Sequence, residues 1–276
     1  MTIKYELKGS ISSTHFGYAK LLDVYRFCKK YNNCTIMICF RNCSWFDANM
    51  SAVLRAILYK LREENNIKFY SEKKYADKFP ILISNGFFKS NNDRIIKYST
   101  GTEVKLREFD KKQDQEYYEY VENDLLNHSG IKIDSNTKYY ISECLIEAFG
   151  NFEIHSKKEY PLFVCGQYYP KKKLFIFTIQ DLGVGFLNPI SELHPAIDTY
   201  EKAIKWAIIK GNTTKSGIPG GLGMDELKSN MMNVGGKFEV ISGDCYHTCE
   251  CKDGKVIDNY KKINCDYIGS TINLVF

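Results

Sequence analysis

"ISECLIEAFGNFEIHS" (residues 141–156) decides how the second half of the chain reads. Ile141, Cys144, Leu145, Ala148 and Phe152 recur at helical spacing and predict one buried helix face. Glu143, Glu147, Asn151 and His155 recur every four residues and predict a polar row beside it. Gly150 costs such a helix roughly 1 kcal/mol against Ala. It raises the expectation that a strand or a ligand packs closely there, the plain alternative being a solvated face. Asn151 is a neutral oxygen ligand suited to Mg²⁺, a hard cation that keeps most of its waters. Glu147, one turn earlier, is spaced to orient or deprotonate a water or hydroxyl.

Two further stretches carry chemistry. In "FTIQDLGVGF" (177–186) an apolar strand ends at Asp181, followed by Gly183 and Gly185. A carboxylate at a strand end can accept a hydrogen bond from an exocyclic amine, and glycines behind it let the backbone approach a flat ligand. Alone, this pattern also makes a tight turn, and Asn188 stands where a dinucleotide fingerprint needs its third glycine. In "GNTTKSGIPGGLGMDEL" (211–227) a Gly- and Thr-rich segment runs into a helix start, where free amides and the helix dipole favour an anion. Lys215 adds a positive charge. A surface loop has the same composition, and no Walker A pattern occurs in the chain.

The order E-x-x-x-N helix, strand with D-x-G-x-G, then G-G-x-G before a helix resembles the Bergerat-fold (GHKL) ATPases, the group of gyrase and the histidine kinases. "EAFGNFEIH" is similar to their N box as it stands in the anti-sigma-factor serine kinase branch, "DLGVGF" to the G1 box and "GGLGM" to the G2 box. The tail "GGKFEVIS…GSTINLVF" resembles the closing hairpin. The resemblance spans roughly residues 110–276. It implies ATP and Mg²⁺ as cofactors, with Asn151 on the metal, Asp181 on the adenine amine, and Gly183 and Gly185 against the ring. It places Thr214, Lys215, Gly220, Gly221, Leu222, Gly223, Met224 and Thr271 around the nucleotide, Glu147 as general base, and residues 186–219 as an ATP lid. Phe152 departs from the family, which has a small residue after the N-box Asn.

The first half reads differently. "CTIMICF" (34–40) and "IKFY" (67–70) are strand candidates on either side of a helix. The face of that helix is Met50, Val53, Leu54, Ile57, Leu58 and Leu61, with Asp47 or Asn49 as N-cap. Strand–helix–strand at this length predicts a parallel unit. The stretch "TIMICFRNCSWFDANMSAVLRAILYKL" resembles a STAS domain, the fold of anti-sigma-factor antagonists. The phosphoacceptor position of that family holds Asn49, which cannot take phosphate as a serine does. The expected fold is therefore α/β: a STAS-like α/β domain over 1–105, then a Bergerat-type α/β sandwich over 106–276, a mixed sheet with helices on one face.

The remaining stretches give helices over 113–130, 196–211 and 222–236. Strands are expected at 160–169 and 172–179, joined around Pro170-Lys171, and at 237–242 and 269–276. "CYHTCEC" (245–251) places Cys245, His247, Cys249 and Cys251 on one side of a strand. That set could bind Zn²⁺, but finger-type spacing is absent and a reduced, partly buried hairpin is the competing reading.

The 276 residues carry a net charge of +5, with scattered lysines and no basic stripe, so nucleic acid is not expected. "MTIKYELKGS" is not a signal peptide, no apolar run is long enough for a membrane span, and the 10 cysteines read as reduced thiols of a cytoplasmic protein. Three functions compete. One is a regulatory Mg-ATPase with slow hydrolysis and lid closure. Another is a serine/threonine kinase of the anti-sigma-factor type, acting on a protein substrate. The last is a non-catalytic nucleotide sensor. A protein partner or protein substrate is expected, a homodimer is compatible with the reading, and a membrane is not expected.

Overall fold

A computed structural model of the chain describes residues 3–89, 97–155, 160–213 and 223–276, without the side chains of 151, 153–155, 265 and 266. The protein is mixed α/β and divides into two compact units. Unit 1 is Met1–Arg107 with Phe163–Gln167, and unit 2 is Glu108–Leu162 with Tyr168–Phe276. One short piece of strand from the second half of the sequence therefore belongs to the first unit.

Unit 1 begins with β1 (Ile3–Glu6), β2 (Gly9–Ile11) and α1 (His15–Cys28), continues with β3 (Thr35–Cys39), β4 (Cys43–Phe46) and α2 (Met50–Asn65), and reaches β5 (Lys68–Tyr70). The short helices α3 (Lys73–Ala76) and α4 (Pro80–Ser84) follow, then β6 (Glu103–Phe109). Strands β1, β3 and β5 form a parallel sheet with β3 in the middle, and β2 pairs β4 in parallel. The expected strand–helix–strand unit is thus present as β3–α2–β5. Met50, Val53, Leu54, Ile57 and Leu61 of α2 are buried as their spacing requires, while Leu58 is half-buried.

The expected cap of α2 differs. Asn49 precedes the helix but makes no side-chain cap bond. Its amide and carbonyl are bound to the Ser13 hydroxyl instead, at 2.9 and 3.1 Å. Asp47 is engaged too: Oδ2 accepts from the Ser13 N–H at 2.8 Å, and Oδ1 from the Trp45 indole at 2.7 Å. Both candidate caps are used to tie the start of α2 to the loop before α1.

β7 (Leu162–Tyr169) neighbours β6, and its middle residue Cys165 is buried against Ser51 and Asn85 of unit 1. At its far end β7 turns through residues 170–173 into β8 (Leu174–Asp181), with Lys173 N–H on the Pro170 carbonyl at 3.2 Å.

Unit 2 opens with α5 (Asp114–Glu119), which passes into a π-helical segment, Tyr120–Leu126, and then α6 (Ser135–His155). Tyr117 of α5 stacks on Phe149 of α6, with ring centroids 4.6 Å apart. Ile141, Cys144, Leu145 and Phe152 of α6 are buried as expected. After β8 come α7 (Leu187–Leu193), α8 (Tyr200–Ala207) and α9 (Gly223–Asn233). Helix α8 is shorter than its periodicity suggests, and it starts later because the Thr199 hydroxyl caps it by accepting from Lys202 N–H. α9 stops at Gly235, whose φ of +70° lets Gly236 N–H return to the Met231 carbonyl.

The chain closes in β9 (Lys237–Lys252) and β10 (Lys255–Val275), a hairpin far longer than the two short strands expected. β10 pairs antiparallel with both β8 and β9.

Candidate functional site

Strand β8 delivers Asp181 at its last position, opposite Ser270 of β10. Successive strand residues alternate faces. Ile179 and Asp181 therefore share one face with Ser270 and Ile272, and these four line a cavity of about 180 Å³. Glu147, Ala148 and Phe152 of α6 form another wall, and Phe186, Pro189 and Ile190 around the start of α7 a third. Trp206 of α8 and Met224 of α9 complete the lining with residues 212 and 213.

The lining is mainly apolar, and Asp181, Glu147 and Ser270 are among its polar residues. Gly183 N–H donates to Asp181 Oδ1 at 2.6 Å, and the nearby Ser270 backbone and hydroxyl also favour the charged carboxylate. Burial nevertheless outweighs these contributions and pushes the carboxyl up to about 6. A carboxylate held this way can accept from an N–H donor, and such a donor offsets the lost hydration.

The backbone around Asp181 is tightly built. Gly269 has φ +70°, and a Cβ there would lie 2.0 Å from the Asp181 carbonyl oxygen. Only glycine fits between these strands. Gly185 approaches the hydroxyl of Ser242, which also accepts from Phe186 N–H at 3.2 Å and so fixes the turn after β8.

The structure brings Glu147, Asp181, Gly183, Gly185 and Met224 to one cavity, and Gly223 stands at the start of α9 beside Met224. Asn151 lies in α6 one turn after Glu147, but its side chain is outside the described residues. Thr214, Lys215, Gly220, Gly221 and Leu222 are also outside them. Thr271 is not on the cavity: the strand alternation turns it to the opposite sheet face, where its buried hydroxyl bonds Gln180 and, at 2.6 Å, Tyr267. At Gly150 nothing described lies within 4 Å of where a Cβ would be. Of the expected lid, residues 186–213 include two helices with Ile190, Ala203 and Ile204 buried.

Ser270, Gly269, Phe186 and Trp206 were not singled out from the sequence as site residues. The isolated glycine in "YIGSTINLVF" is the one available signal, since a glycine inside a strand marks a close backbone approach.

The suggested Cys245, His247, Cys249 and Cys251 metal set does not assemble. His247 Nε2 binds Asp258 at 2.7 Å, the Cys249 thiol meets the Met232 sulfur at 3.5 Å, and Cys251 is exposed. Among the described residues no group of three or more His, Cys, Asp or Glu side chains is placed to hold a metal, and no helix is long and apolar enough to cross a membrane.

No protein-family model matches this chain, and comparison with curated proteins and with solved structures finds no match.

Proposed function

We propose that this protein binds Mg-ATP as a regulatory switch, through a Bergerat-type unit that follows a STAS-like one. The observation that supports this reading is convergence: Glu147, Asp181 and Met224 come from three separate sequence motifs and line one cavity. On this reading Asp181 accepts from the adenine amine, and the apolar walls take the ring. Asn151 would hold Mg²⁺, and the start of α9 at Gly223 and Met224 would face the phosphates. The ion supplies charge neutralisation at the phosphates. Glu147, on the cavity wall, orients the attacking water and takes its proton.

The kinase alternative places the acceptor in another protein. Asn49 is an amide, fully buried and bonded to Ser13, so unit 1 offers no acceptor at that position.

Incubation of the whole protein with γ-labelled ATP and Mg²⁺ tests the chemistry. Slow release of labelled phosphate is expected, reduced about 10²–10⁴-fold in Glu147→Ala with ATP affinity kept. Tight binding with no turnover in the wild-type protein, alone or with cell extract, would leave a nucleotide sensor.

A further inference from the structure

The β9–β10 hairpin changes face half-way along. Up to Ser242, the even-numbered residues of β9 share the cavity face, Val240 standing opposite Ile272 and Ser242 opposite Ser270. The register of β10 then shifts near Gly243, which has φ +56° and lies against the Tyr200 ring of α8. A Cβ on Gly243 would sit 2.1 Å from that ring, so the bulge depends on glycine. Beyond it the odd-numbered residues turn toward the helices: the Cys249 thiol meets Met232 of α9, and His247 lies beside Tyr260, whose ring sits under Lys205 of α8 at 4.6 Å.

Asp258 stands opposite Cys249 in the hairpin and gathers two donors. Its Oδ1 accepts from His247 Nε2 at 2.7 Å, and its Oδ2 from Lys228 Nζ of α9 at 3.0 Å. A carboxylate only accepts, so the proton of the neutral imidazole is on Nε2. His247 is fully buried, and burial holds it below its ordinary pKa despite Asp258. It therefore acts as a fixed neutral donor that aims the carboxylate at Lys228.

We infer that Asp258 is a positioning residue for the cavity: through Lys228 it holds α9, whose first turn supplies Met224 to the cavity wall. Residues 224 and 228 are one helical turn apart and share a face, so the pull on Lys228 sets the rotation at which Met224 is presented. The Lys228 and Asp258 side chains are 18% and 31% exposed, so the pair is only partly sheltered from the screening that weakens a surface ion pair. The ligand part of this inference rests on the proposed nucleotide binding; the helix part does not.

The test compares the full-length protein with Asp258→Asn, Lys228→Met, the double variant and Lys228→Arg, by hydrogen exchange and by titration with Mg-ATP. Each of the first two is expected to speed exchange at 223–227 and to weaken Mg-ATP by roughly tenfold. The double variant should be no worse than either single one, and Lys228→Arg should restore both readouts. Exchange at 177–181 should stay unchanged, and Lys262→Ala, which breaks the exposed Lys262–Asp244 pair of the same hairpin, should alter nothing. Additive losses in the double variant, unchanged exchange at 223–227, or acceleration spread over the whole chain would overturn the positioning role. If the wild-type protein fails to bind Mg-ATP, the nucleotide reading falls and the exchange comparison alone decides Asp258.

Discussion

Asp181 and Ser270 face each other across the β8–β10 ladder, where the Ser270 hydroxyl donates to Ser242 Oγ at 3.4 Å and Gly183 N–H donates to the Asp181 carboxyl at 2.6 Å. The pair joins the end of one strand to the start of the last sheet segment at the cavity floor. The Ser270 hydroxyl beside it favours the charged carboxylate, so Ser270→Ala is expected to raise the Asp181 pKa further above about 6. Carbon-13 titration of the Asp181 carboxyl reads this directly. An unchanged pKa would show that Ser270 does not stabilise the charge.

A buried carboxylate whose pKa is raised costs the folded state stability when it ionises. The sign follows from proton binding: between 3.8 and about 6 the folded protein holds a proton that the unfolded chain has lost. Stability from this group is full below the lower value and is lost as pH rises through the upper one. Asp181→Asn should therefore stabilise the protein at pH 7.5 by roughly 1–3 kcal/mol, and the gain should disappear toward pH 4. His247, held low by burial, pushes the other way, because its stability is lost as pH falls. Subtracting the variant's denaturation curve from the wild-type curve cancels that common contribution. A gain that is constant with pH would refute the assignment.

Gly243 and Gly269 are both in the left-handed region, and they differ in what blocks a side chain. At Gly269 the obstacle is the Asp181 backbone, which cannot move aside, so Gly269→Ala should cost roughly 2–4 kcal/mol with no side-chain change relieving it. At Gly243 the obstacle is the Tyr200 ring. Gly243→Ala should be destabilising, and in a Tyr200→Ala background its cost should shrink, leaving the backbone strain. Urea unfolding of the four-protein cycle measures the coupling; strict additivity would contradict the contact.

The elements with a strong apolar period were legible in the sequence. α2, the β3–β5 pair, the apolar face of α6 and the end of β8 at Asp181 follow from side-chain spacing. What was missed depends on long-range pairing. "CKDGKVIDNYKK" (251–262) is largely polar, so nothing in its period marks it as strand, yet it closes the hairpin and its residues 255–262 pair with β9. The face change near Gly243 is a register event, and periodicity assumes a constant register. Ser270 joins the site only because it pairs with Asp181, 89 positions away in the sequence. Thr271 was misplaced for the same reason: one step along a strand moves a side chain to the other face.

Calorimetric titration of Mg-ATP into the wild-type protein and into Asp181→Asn tests the central claim most directly. The variant replaces an acceptor oxygen with a donor on the cavity lining, while the Gly183 bond to Oδ1 can persist. Saturable one-site binding by the wild-type protein is predicted, weakened by roughly 1–3 kcal/mol in the variant. Equal affinities in the two proteins, or no binding by the wild-type protein, would contradict the account.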